Sequence, residues 1–173
     1  MCITIILHTN VLSDSAQNKI MKKFRLDAKK KNKSISAIVI DDSADIVDLL
    51  CDFLELANVQ VLGKGYDGKD AVQLYKKVRP DVVLLDIMMP EYDGFYALEK
   101  IRQIDRNAKI LMVTADLRKD TEDRLGRVGG IEIVYKPFDF NHLLEGIHKL
   151  FDGPTPAMAY QGASYVARPQ LQQ

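Results

Sequence analysis

Five short apolar runs, each followed by a stretch whose apolar positions recur at helical spacing, constrain what this chain can fold into. The runs are Ala37–Ile40, Val59–Leu62, Val82–Leu85, Ile110–Val113 and Ile131–Tyr135. They are too short for buried helices and rich in β-branched residues, which is the signature of strands covered on both faces. Parallel neighbours need crossover connections, and such crossovers are right-handed. Five strand–helix units in alternation therefore predict an α/β fold, a doubly wound five-stranded parallel sheet with five helices in flavodoxin-like order.

The helical stretches differ in strength. Ile46, Val47, Leu50, Phe53, Leu54 and Ala57 mark the first, with Asp42 or Ser43 as its N-cap. Ala71, Leu74, Tyr75 and Val78 mark the second, which Pro80 closes. Asp93 begins the third, carried by Ala97, Leu98, Ile101 and Ile104. The fourth has only the narrow stripe Leu117, Thr121, Leu125 and Val128 among many charges, and this predicts weak anchoring. Phe140, Leu143, Leu144, Ile147 and Leu150 pattern the fifth.

Charge balances over the 173 residues, 24 basic against 24 acidic, but unevenly. Residues 1–34 carry eight basic and two acidic residues and little apolar pattern, so they read as a basic, disordered extension. A weak helix touching nucleic acid or an anionic surface is the sharper alternative for them. After Phe151, Gly153-Pro154-Thr155-Pro156 breaks structure, and 153–173 reads as a disordered tail. One folded domain is left at 35–152. Cys2 and Cys51 form no metal-ligand spacing and suggest a reducing compartment. The apolar opening Met1 to Leu7 lacks a basic lead and is too short to span a bilayer, so a cytoplasmic protein without membrane insertion is expected.

If all strands run toward one edge, their ends deliver Asp41 and Asp42, Asp86, Thr114 and Lys136 to a common crevice. Three carboxylates crowded together repel, and a proton or cation must relieve them. Mg²⁺ fits, being a hard ion commonly held by one or two carboxylates together with a phosphate. A lysine and a hydroxyl facing that ion suit a phosphoryl group, and Asp86, central and ionised, is the plausible nucleophile. Taken singly, each residue has an ordinary use: Asp42 caps a helix, Thr114 ends a strand, Lys136 is a surface charge. Their joint arrival is what those uses leave unexplained.

These residues resemble the receiver domain of two-component response regulators. The resemblance covers about residues 36–151 and rests on the Asp41-Asp42 pair, Asp86-x-x-x-Pro90-x-x-Asp93-Gly94, Thr114-Ala115 and Lys136-Pro137-Phe138. It implies that Asp86 accepts a phosphoryl group from the phosphohistidine of a sensor histidine kinase. It also implies Asp42 as a direct Mg²⁺ ligand, Asp41 holding the ion through water, and Asp86 and the Met88 backbone carbonyl sharing it. Thr114 and Lys136 would bind the phosphoryl oxygens, and the Lys136–Pro137 peptide would be cis. Such a domain is a signalling switch rather than an enzyme, and its output surface is the fourth helix, fifth strand and fifth helix. The chain departs from the family at Ile133, where an aromatic often stands; Tyr135, two residues on and on the same sheet face, is the candidate to replace it.

Three other readings compete. Gly63-x-Gly65-x-x-Gly68 matches a dinucleotide-binding turn but leaves Asp41, Asp42, Thr114 and Lys136 unused. An aspartate-nucleophile phosphatase or phosphotransferase needs the same groups, together with a second acid and a cap over its substrate. Sequence-specific DNA binding would need a module larger than the 22 residues after Phe151. Output is therefore expected through an unknown downstream protein target. His8, His142 and His148 form no general-base constellation.

Overall fold

The computed structural model describes residues 34–128 and 131–152. The expectations for the basic extension and for the tail after residue 152 fall outside them, Ser34 apart. In chain order the elements are β1 (Ser36–Ile40), α1 (Ala44–Leu56), β2 (Gln60–Gly65), α2 (Gly68–Val78), β3 (Val82–Leu85), α3 (Gly94–Ile104), β4 (Ile110–Thr114), α4 (Lys119–Gly126), β5 (Ile131–Tyr135) and α5 (Phe140–Asp152). The strands form one parallel sheet of order β2-β1-β3-β4-β5, as the alternation predicts.

Strand alternation divides the core in two. Ala37 and Val39, Val82 and Leu84, and Leu111 and Val113 point to the face covered by α1 (Val47, Leu50, Leu54) and α5 (Leu143, Leu144, Ile147). Ile38 and Ile40, Val83 and Leu85, and Ile110 and Met112 point to the other, covered by α2 (Ala71, Val72, Tyr75), α3 (Leu98, Ile101) and Leu125 of α4. Every residue of β3 and β4 is buried, as expected of central strands between two helical layers. No described helix is long and apolar enough to cross a membrane.

The structure departs from the sequence reading at β2. The run read as Val59–Leu62 continues as strand to Gly65, so Gly63 and Gly65 are ladder residues rather than a phosphate-cradling turn. Their bareness has a packing cause. A Cβ on Gly63 would lie 2.9 Å from the Leu74 side chain, and one on Gly65 would lie 2.7 Å from Asp70 Cβ and 2.8 Å from Ile40 Cδ1. The glycines thus let α2 sit down on β2, which removes the structural basis of the dinucleotide reading.

Helix starts follow the expected chemistry in part. Asp67 caps α2 by accepting from the Asp70 amide at 2.7 Å, and Asp93 caps α3 by accepting from the Tyr96 amide at 2.7 Å. Ser43 occupies the N-cap of α1, but its side chain makes no cap bond. The fourth helix is shorter than its stripe: Leu117 precedes it, 53% exposed, and only Thr121 and Leu125 are buried within it.

Candidate functional site

Strand register places the acids. Ile40 lies opposite Leu85, so Asp41 and Asp86 leave their strands side by side; Leu85 lies opposite Met112, so Thr114 ends β4 one residue beyond the level of Asp86, and Lys136 follows Tyr135, the partner of Thr114. The ladder runs one step further: the Asp86 amide donates to the Ile40 carbonyl at 2.9 Å, and the Lys136 amide to the Thr114 carbonyl at 2.8 Å. Asp41, Asp86 and Thr114 are all buried there, with at most 4% of their surface exposed, whereas Asp42 faces solvent.

Close approach of α3 fixes the turn that follows Asp86. A Cβ on Gly94 would fall 2.2 Å from the Asp86 carbonyl oxygen and 2.8 Å from the Ile87 Cα. Only a residue without a side chain admits the helix start so near the nucleophile's own backbone. The Gly94 amide donates to the Ile87 carbonyl at 3.0 Å and closes this turn.

The carboxylates share one cation from the chain itself. Lys136 Nζ stands 2.5 Å from Asp41 Oδ2 and 3.6 Å from Asp86 Oδ2. Asp86 Oδ1 accepts from the Ile87 amide at 2.8 Å, so Oδ2 is the oxygen turned to the ammonium. Burial raises the Asp86 carboxyl above its ordinary range; Lys136 opposes this, and Asp41 adds to it. Asp41 Oδ1 accepts from the Ser43 amide at 3.0 Å, which ties the first acid to the start of α1. The Lys136–Pro137 peptide is cis.

Asp41, Asp42 and Asp86 each offer an oxygen within 4.8 Å of the others. All-oxygen, anionic donors this close suit a hard divalent ion with room left for water, and the residues present fit Mg²⁺. The structure thus brings together the three acids, Lys136 and the end of β4 that carries Thr114. His142 pairs with Asp139 at 3.3 Å at the start of α5, not with this group.

A second polar cluster escaped sequence reasoning. Asp116, buried in the β4–α4 loop, accepts from the Arg118 amide, from Arg118 Nε and Nη2, and from Thr121 Oγ1. An acid in a polar loop carries no periodic signal, and its burial becomes visible only when α4 folds over it.

The chain matches the family model described as response regulator receiver domain over residues 37–148. It is 33% identical over 113 residues to the chemotaxis protein CheY of Thermotoga maritima, covering 65% of this chain and 94% of that one. To CheY of Bacillus subtilis it is 35% identical over 112 residues, covering 65% and 93%. Among solved structures, the CheX–CheY complex with BeF3 and Mg²⁺ from Borrelia burgdorferi aligns with a TM-score of 0.64 and 28% identity, over 68% of this chain and 89% of that one. The parallel five-stranded sheet, the acids gathered at its edge and these matches together show that the chain belongs to the response regulator receiver domain family.

Proposed function

We propose that this chain is the phosphoacceptor of a two-component phosphorelay, with Asp86 Oδ2 as the atom that takes the phosphoryl group. The observation that carries the reading is the pairing of two buried carboxylates with one ammonium, Lys136 lying 2.5 Å from Asp41 and 3.6 Å from Asp86. Asp86 Oδ2 attacks the phosphorus of a sensor kinase's phosphohistidine. The P–N bond breaks, its electron pair returns to the imidazole, and the new P–O bond makes an acyl phosphate. Lys136 balances charge on one phosphoryl oxygen, and the Thr114 hydroxyl donates to another. Asp41, Asp42, Asp86 and the Met88 carbonyl would hold Mg²⁺, which supplies further positive charge against the phosphoryl group when bound.

The chain then acts as a switch and not as a turnover enzyme. A partner protein reads the surface of α4, β5 and α5, in a cytoplasmic setting and without sequence-specific DNA contact. Residues 35–152 carry all of these groups. Incubation with acetyl phosphate and Mg²⁺, followed by intact mass measurement, should show one added phosphoryl group. EDTA or Asp86→Asn should abolish it. Undiminished labelling of Asp86→Asn would refute the assignment.

A further inference from the structure

The Thr114 hydroxyl and the first turn of α4 are held by one residue. Thr114 Oγ1, fully buried, accepts from the Asp116 amide at 3.1 Å, which leaves its own proton to be donated elsewhere. The Asp116 carboxylate accepts from the Arg118 amide at 3.0 Å, Arg118 Nε at 2.8 Å, Arg118 Nη2 at 2.7 Å and Thr121 Oγ1 at 2.7 Å. The Arg118 guanidinium is the main cause holding this carboxyl well below the usual carboxylate range, against the effect of its burial. Arg118 is the N-cap residue of α4, and its carbonyl accepts from the Thr121 and Glu122 amides. On β5, by contrast, Ile133 has no polar reach, and Tyr135 touches α4 through a partly buried bond to Glu122 at 3.1 Å.

Resting on the phosphoacceptor reading above, we propose that Asp116 is the positioning residue that links the Thr114 hydroxyl to α4. A phosphoryl group on Asp86 is then reported through Thr114, Asp116 and Thr121 rather than through an aromatic ring. When Thr114 donates to a phosphoryl oxygen, its hydroxyl shifts. The buried Asp116 amide must follow or lose its acceptor, and an unsatisfied buried amide is costly. The carboxylate of the same residue, tied by charge-assisted bonds, carries the first turn of α4 with it. Two arrangements of α4 result, and the phosphoryl group biases their populations.

The test is amide NMR of the full chain in Mg²⁺, with and without beryllofluoride as the phosphoryl probe. In the wild type, resonances of Thr114 and of residues 118–126 should both shift. In Asp116→Ala the α4 shifts should be lost while Thr114 still responds, and in Thr121→Val, which keeps the Arg118 bonds, they should be reduced; Asp116→Asn should restore them in part, and Tyr135→Phe should leave them intact. Thr121→Val removes one bond of the same link without altering the loop, so the idea stays open to refutation if Asp116→Ala does not fold. Unchanged α4 shifts in Thr121→Val, or their loss in Tyr135→Phe, would overturn the link alone. A wild-type chain that shows no response at Thr114 or Asp86 would remove the phosphoacceptor reading and the link with it.

Discussion

At Asp86 burial and charge pull in opposite directions, and the balance sets how stability depends on pH. Its carboxyl is raised first by burial and then by Asp41, against the attraction of Lys136. The folded chain therefore holds this proton more tightly than the unfolded chain does. Stability from this group is present at low pH and is lost as pH rises from the ordinary carboxylate value through the raised one. Asp86→Asn should accordingly melt above the wild type in EDTA at neutral pH, with the gap narrowing as pH falls; a gap that widens on acidification would show the sign to be wrong. Asp42 is exposed, so water screens its share of the repulsion and its amide variant should gain less. Lys136→Met works the other way. It strips the partner from buried Asp41 and should cost about 3 kcal/mol in urea unfolding. The site acids and the lysine were legible in the sequence because each stands where an apolar run stops. Asp116 was not, since nothing in a loop's polarity tells a buried acid from a solvated one.

Among the elements, α3 and α4 bear on the site in opposite ways. The start of α3 is pressed against the backbone of Asp86, and Gly94→Ala would force a methyl to within 2.2 Å of a carbonyl oxygen. A backbone neighbour cannot swing aside, so the substitution should cost about 3 kcal/mol and weaken Mg²⁺ binding with it. Urea titration with and without Mg²⁺ checks both effects, and a neutral outcome would mean that the loop can re-form at no cost. Helix α4 has eight residues and buries only Thr121 and Leu125, while α1 buries Val47, Leu50, Cys51 and Leu54. Few apolar contacts mean a low opening free energy. Hydrogen exchange in α4 should therefore be faster than in α1 or α3; equal protection would contradict the weak anchoring read from its narrow stripe. That stripe was visible in the sequence, but the true end of β2 was not. Two glycines within three residues look like a turn until the side chains of Leu74, Asp70 and Ile40 are seen to need the space.

Across the whole molecule, one sheet with a core on each face accounts for why chemistry collects at a single edge. Parallel strands all present their C-terminal ends there, and the order β2-β1-β3-β4-β5 sets Asp41 and Asp86 on adjacent strands with Thr114 and Lys136 beside them. The topology was readable because central strands buried on both faces leave an unbroken apolar run, which few other elements produce. The sequence reading of one folded domain at 35–152 predicts that a fragment of those residues unfolds cooperatively with the Mg²⁺ affinity of the full chain. Calorimetry of the two would show it, and loss of cooperative unfolding on trimming would show that the removed segments complete a core. Borohydride reduction of the acetyl-phosphate-treated chain, followed by peptide mapping, tests the phosphoacceptor assignment most directly, because it converts an acyl phosphate of aspartate to homoserine. The predicted result is conversion at residue 86 alone, present in Mg²⁺ and absent in EDTA; conversion at residue 41 or 42 instead, or labelling indifferent to the metal, would contradict it.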